Sequence, residues 1–198
     1  MGLDLKYQVG QTPLDEEEKD GLRIESIASK GELNEFEQHN IEEAFLWVLG
    51  RSFQVDLVLS EAFIRMVHKR MFGDVWNWAG EFRKTNKNIG VEMWQIPIML
   101  RALLDDTKFG VEHKTYTPDE IALRFKHRLV SIHCFPNGNG RHSRLMADIL
   151  IEKVFKQAVF TWGAAGENKD KNIRVVYLKA LKAADKGDYN LLLKFARS

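Results

Sequence analysis

Residues 117–155 read TPDEIALRFKHRLVSIHCFPNGNGRHSRLMADILIEKVF. Thr117 suits the N-cap of a helix, Pro118 its first position, and Glu120 completes a capping box with the threonine. Ile121, Phe125, Leu129 and Ile132 then fall on one helical face. The periodicity breaks over HCFPNGNG and resumes at Arg141. Two amphipathic helices joined by a turn rich in Gly and Asn predict an all-α fold with unusual chemistry at the joint.

The rest of the chain repeats the helical signal. Over its 198 residues, 44% are apolar and 29% charged, as in an ordinary globular protein, and the length predicts one domain. Thr12 and Pro13 open a short acidic helix. Ser29 and Glu32 form a capping box ahead of a stripe of Leu33, Phe36, Ile41, Ala44, Trp47 and Val48, stopped by Gly50. Phe63, Val67 and Met71 make the next stripe, closed by Gly73, and a helix follows Pro97. Segments 170–187 and 188–198 finish the chain as helices, with Asp188 capping the last. Only EFRKTNKNIGVE, residues 81–92, lacks a helical stripe; its turn residues predict a small β-hairpin. QAVFTW, 157–162, reads as one more short strand.

Several function classes drop out. The formal net charge of +1 supplies no bulk field for nucleic acid or an anionic membrane, so neither is expected as a partner. The single cysteine, Cys134, excludes a disulfide framework. The N-terminus lacks a secretory pattern, Lys6 stands where a myristoylation signal needs Ser or Thr, and no apolar run is long enough to span a bilayer. A cytoplasmic protein is expected. His127, His133 and His142 lack a familiar metal spacing, and Cys134 beside His133 is poorly placed for a thiol–imidazole pair. The turn is neither a dinucleotide loop, which needs a preceding strand and a third glycine, nor a P-loop.

The joint itself suits an anion. Gly138 and Gly140 allow close backbone approach, and the helix that follows offers free N–H groups and a positive dipole end. Arg141 and Arg144, three residues apart, point to roughly one side with planar forks suited to phosphate. Asn139 can add an amide N–H, and His133 can accept a proton near neutral pH. The plainer alternative is a solvated helix–turn–helix junction with Phe135 as a core anchor.

HCFPNGNGRHSR, residues 133–144, resembles the Fic family signature, H-x-F-x-[DE]-G-N-G-R-x-x-R. MFGDVWNWAGEFR and ADKGDYNLLLKFA resemble the family's segment ahead of its flap and its C-terminal helix. GELNEFEQHNIEEA is similar to the N-terminal helix of a bacterial subgroup labelled mobile mystery protein B. Trp76, Trp78 and Phe82, taken alone, read as core aromatics. The resemblance implies a single Fic-type helical bundle over 1–198, with N-terminal helices at about 12–50, a core at about 55–198 and a β-hairpin flap.

It also implies transfer of AMP from ATP to a Ser, Thr or Tyr hydroxyl of a target protein. By that resemblance His133 is the general base and Phe135 anchors the loop. Gly138, Asn139 and Gly140 form the anion hole, Arg141 holds the β-phosphate and Arg144 the γ-phosphate. Lys87, Asn88, Ile89 and Gly90 of the flap dock the target. The family's acidic Mg²⁺ ligand is replaced by Asn137, a neutral and weaker partner for a hard cation, so reduced activity is expected. No clean copy of the family's inhibitory motif, [ST]-x-x-x-E-[GN], occurs; Glu32 is the nearest candidate, though helix capping accounts for it more simply. Gly140 stands where the family's kinase branch carries Lys. The alternatives are transfer of another nucleotide or phosphocholine, and a catalytically weak nucleotide-binding regulator in a toxin–antitoxin-like pair.

Overall fold

The computed structural model describes residues 13–164 and 173–198. Its helices are α1 (Glu16–Lys19), α2 (Lys30–Leu49), α3 (Val55–Val58), α4 (Glu61–Phe72), α5 (Ile96–His113), α6 (Pro118–Ile132), α7 (Asn139–Ile149), α8 (Ile173–Ala184) and α9 (Asn190–Arg197). A π-helical turn, Leu150–Val154, extends α7. Helix α6 packs on α5 and α7, α4 on α2 and α7, and α8 pairs with α9. Ile121, Phe125, Leu129 and Ile132 of α6 are buried, as are Leu145, Met146 and Ile149 of α7, so the two helices flanking the turn are held in the core.

The helix starts follow their sequence signals. The Ser29 hydroxyl accepts the Glu32 N–H, and the Glu32 carboxylate accepts those of Ala28 and Ser29. That satisfies donors otherwise orphaned at the start of α2 and fixes Glu32 as a capping residue. Thr117 caps α6 through the Glu120 N–H, but the Glu120 carboxylate turns to Arg124 instead of closing the box. Asp15 occupies the N-cap of α1, its own N–H donated to Glu18; Thr12 lies outside the described residues. The start expected at residue 170 for α8 also lies outside them. The N-cap of α9 is Tyr189, without a side-chain cap bond, and not Asp188 as expected; the Asp188 carboxylate, one residue earlier, accepts the Asn190 N–H.

Two expectations need correction. In α2 the buried residues are Leu33, Glu37, Asn40, Ala44 and Val48, while Phe36 is 44% exposed. Polar partners outweigh hydropathy here: Glu37 accepts the Trp76 indole N–H at 2.7 Å, and Asn40 exchanges two bonds with Asp74. The second correction is the hairpin. Residues 81–92 form bends without a strand, 157–162 are not a strand either, and the described residues hold just one isolated bridge, Leu22 to Trp76. Side chains meet the flap's backbone groups in place of a strand ladder. Arg83 donates to the carbonyls of Thr85 and Val91, and Asn86 accepts the Met93 N–H at 2.8 Å. With those groups satisfied, cross-strand pairing has nothing further to gain.

Candidate active site

His133 is the C-cap residue of α6 and lies in the left-handed region, φ 58°, a conformation unusual outside glycine and frequent at functional positions. The residue is buried from bulk water but opens on a cavity of about 600 Å³. Burial first, and then the charge of Arg83, lowers its pKa to about 4. The imidazole is therefore neutral at pH 7 and able to accept a proton.

Arg83 holds the histidine's backbone. Buried in the core, it donates Nε to the His133 carbonyl at 2.6 Å, and its own N–H to the Cys134 carbonyl at 2.9 Å. The same guanidinium binds both limbs of the flap, so one side chain fixes flap and histidine together. Gly90 completes the contact. Its φ is +98°, and a Cβ there would stand 2.6 Å from the His133 Cβ.

The turn is braced from below. Phe135 is fully buried and stacks on His68 with ring centroids 3.7 Å apart. His68 Nδ1 accepts the Gly80 N–H, so Nε2 donates to the Asn137 carbonyl at 3.0 Å. The Asn139 side chain accepts the Phe135 N–H at 3.0 Å and donates to the Phe135 carbonyl at 2.7 Å. The Asn139 side chain, expected to offer an amide N–H to a ligand, clasps the loop through these two bonds. Gly138 needs φ +76°, and a Cβ there would meet the Phe72 ring at 2.4 Å. A Cβ on Gly140 would meet nothing within 4 Å. The first glycine is demanded by the fold; the second leaves open space in the cavity wall.

Two helical faces close the cavity. Lys30, Leu33, Asn34 and Glu37 of α2 line it at helical spacing, as do Arg174, Tyr177, Leu178 and Leu181 of α8. Arg141 and Arg144 both line it. Arg141 pairs with Glu37 at 2.7 Å, and Arg144 lies over the Tyr177 ring, 4.5 Å from its centroid. The Arg144 Nε is buried without a hydrogen-bond partner, a donor that an anionic oxygen would satisfy. Tyr177 in turn accepts a bond from Lys126 Nζ. Burial, reinforced by Arg144, pushes Lys126 well below the usual lysine pKa.

Among the flap residues, Ile89 lines the cavity, Asn88 is exposed and Gly90 packs on His133. The Lys87 side chain is turned away to α1, paired with Asp15 at 2.8 Å and Glu18 at 2.5 Å. Glu37, His68, Arg83, Lys126 and Tyr177 were not anticipated from the sequence, because each reaches the site from a distant segment. Glu32 is occupied in its cap; the carboxylate that meets an arginine of the motif is Glu37, and it meets Arg141.

A divalent cation finds poor donors. The Asn137 Oδ1 accepts the adjacent Gly138 N–H at 2.6 Å. Glu37, the one carboxylate lining the cavity among the described residues, is engaged by Arg141 and Trp76. No group of three or more His, Cys, Asp or Glu side chains that could hold a metal occurs among the described residues. Mg²⁺ needs at least one available carboxylate oxygen beside the phosphates, and these residues do not provide it.

A helix ending on a buried, neutral histidine and a following helix opening Gly-Asn-Gly-Arg share the wall of one cavity. Residues 58–151 match the Fic/DOC family. The chain is 29% identical over 146 residues to the protein adenylyltransferase Fic of Drosophila melanogaster and 28% identical over 133 residues to that of Aedes aegypti. These alignments cover 72% and 65% of this chain; the chain spans little more than a quarter of the length of these curated relatives, 28% and 25%. Its fold resembles BepC, a VirB-translocated effector of Bartonella tribocorum whose crystal structure holds AMPPNP. That likeness has a TM-score of 0.67 at 16% identity, covering 92% of this chain and 97% of the other. Fic-1 of C. elegans gives 0.63 at 22% identity, covering 90% and 51%. Among the described residues no helix is long and apolar enough to cross a membrane.

Proposed function

We propose that this chain transfers AMP from ATP to a hydroxyl side chain of a target protein. The observation that carries the reading is the cavity shared by neutral His133, the start of α7 and Arg144. His133 takes the proton of the target hydroxyl as its oxygen attacks the α-phosphorus. A bond forms from that oxygen to phosphorus, the bond from phosphorus to the bridging oxygen breaks, and pyrophosphate leaves. The backbone amides of Gly138, Asn139 and Gly140 stabilise the anionic oxygens, as the N-terminus of a helix favours. Arg141 and Arg144 hold the β- and γ-phosphates. A polyphosphate beside His133 also raises its basicity, since a nearby negative charge favours imidazolium. Ile89 and the exposed flap at Asn88 are the docking edge for a target segment carrying Ser, Thr or Tyr.

The Glu37–Arg141 pair stands in the way of the β-phosphate, and its opening is part of the proposed cycle. The same pair, with neutral Asn137, supports the second reading: a regulator that binds nucleotide with little transfer, paired with an antitoxin-like partner. A bacterial, cytoplasmic protein of the mobile mystery protein B subgroup, linked to mobile elements, fits either reading through the sequence resemblance. No step is assigned to Mg²⁺, because the donors present do not fit it.

ATP labelled at the α-phosphate, incubated with the protein in bacterial lysate, should label a protein band or the chain itself. His133→Ala should abolish the label, and Glu37→Gln should increase it. Label arriving from the γ-phosphate alone would move the reading to a kinase. Nucleotide binding without transfer by wild type and by Glu37→Gln would establish the regulator instead.

A further inference from the structure

Helix α6 buries a lysine that the reaction outlined above leaves unused. Lys126 follows Ala122 by four residues and precedes Leu129 by three on the buried face of that helix, and it is fully buried. A lysine is almost never fully buried unless a partner holds its amine. The partner among the described residues is a hydroxyl: Nζ donates to Tyr177 of α8 and lies 4.4 Å from the centroid of its ring. Burial first, and then the Arg144 charge, carries Lys126 well below the ordinary lysine pKa, so the fold disfavours the ammonium. An apolar side chain of similar length would fill this position at lower cost.

What the amine holds faces the cavity. Tyr177 lines it, and so do Val130 and His133, four and seven residues beyond Lys126 on the same face of α6. Three elements fix the Tyr177 ring. Phe195 of α9 packs on it with centroids 5.3 Å apart, Lys126 approaches from α6, and the Arg144 guanidinium of α7 lies over it, 4.5 Å from the centroid. Burial raises the Tyr177 pKa and the Arg144 charge pulls it back, so Arg144 acts on the hydroxyl that Lys126 binds. A guanidinium lying over an aromatic face keeps its place only while the ring keeps its own.

We propose, building on the nucleotide-site reading above, that Lys126 is a positioning residue that acts through Tyr177 on Arg144 and so sets the preference of the cavity for a triphosphate over a diphosphate. The amine fixes the hydroxyl, the hydroxyl fixes the ring, and the ring presents Arg144 to the γ-phosphate. Arg141 and the amides that open α7 hold the other phosphates without Lys126.

The experiment is calorimetric titration of the full chain with AMPPNP and with ADP, beside urea unfolding. Lys126→Met should weaken AMPPNP binding by about tenfold and leave ADP binding within about twofold of wild type. Its urea midpoint should match or exceed that of wild type, since the buried amine is gone. Tyr177→Phe keeps the ring and removes the hydroxyl. It should lose AMPPNP affinity to the same extent, and it carries the test should Lys126→Met not fold. The double variant should bind AMPPNP no more weakly than either single one, because the two groups act in one chain. Losses equal for the two nucleotides, losses that add in the double variant, or a Lys126→Met protein that binds both like wild type would overturn the positioning role and leave the nucleotide-site reading standing. AMPPNP that fails to bind wild type overturns the two together.

Discussion

Gly138 and Gly140 look alike in the sequence, yet the structure gives them different reasons to be glycine. At Gly138 a side chain needs φ +76° and would meet the Phe72 ring at 2.4 Å. At Gly140 there is neither positive φ nor any neighbour within 4 Å. Gly138→Ala should therefore destabilise the fold by about 2 kcal/mol or more, through backbone strain and overpacking. Gly140→Ala should leave the urea midpoint unchanged or raise it slightly, by up to ~1 kcal/mol, because Ala is the better helix former. The same variant should weaken nucleotide binding by about tenfold, since the added methyl stands where the phosphates approach the backbone. Equal stability losses in the two variants would mean that Gly140 is also a packing residue. These turn residues could be read from the sequence because they are consecutive, and their chemistry is local. Glu37 could not. It lies 104 residues from Arg141, and its neighbours in α2 suggest only a solvated carboxylate. The sole hint was its place among apolar residues at helical spacing, and Phe36 competed for that face.

At the scale of the element, the flap shows how a hairpin pattern can fold without strands. Asn-Lys-Asn and Gly90 predict turns correctly, but a strand ladder needs two limbs whose N–H and C=O groups face each other. Here Arg83 takes carbonyls of both limbs and Asn86 takes the Met93 N–H through side chains, an outcome invisible to period-counting because it depends on where one guanidinium points. The clamp continues at Lys87, which ties the flap to α1 through Asp15 and Glu18. Arg83→Met keeps the stem's bulk and removes the donors, leaving the carbonyls of His133, Thr85 and Val91 without them. Such a loss of buried charge-assisted bonds should cost on the order of 3 kcal/mol. Limited proteolysis should then cut between residues 84 and 90 sooner than in wild type, and label transfer should fall even where nucleotide binding persists. Unchanged proteolysis would show that α1 alone holds the flap. The helical bundle was legible where propensity, caps and stripes agreed. The flap was not, because side chains from one segment satisfied the backbone of another.

For the whole molecule, the buried titratable groups set how stability follows pH. Burial lowers the pKa of His133 to about 4 and of His142 to about 3, from 6.5, and carries His68 well below that value. These histidines are neutral in the fold and bind protons when the chain unfolds. Their contribution is complete above pH 6.5 and is lost as pH falls toward the folded values, by up to about 1.4 kcal/mol per pH unit for each group. Asp148 opposes them. Burial raises it from 3.8 to about 6, against the lowering effect of the Trp162 and Phe160 bonds. Its contribution is complete below pH 3.8 and is lost as pH rises through 6, so at pH 7 the ionised carboxylate carries a desolvation cost. Asp148→Asn preserves an acceptor for the Trp162 indole and removes that charge. The variant should be more stable than wild type at pH 7 by on the order of 2 kcal/mol. Between pH 7 and pH 5 its urea midpoint should fall more steeply than that of wild type, because the three histidines then act unopposed. Parallel curves for the two proteins would place the Asp148 titration outside this range, and with it the balance of buried acid and buried base that keeps the wild-type curve shallow.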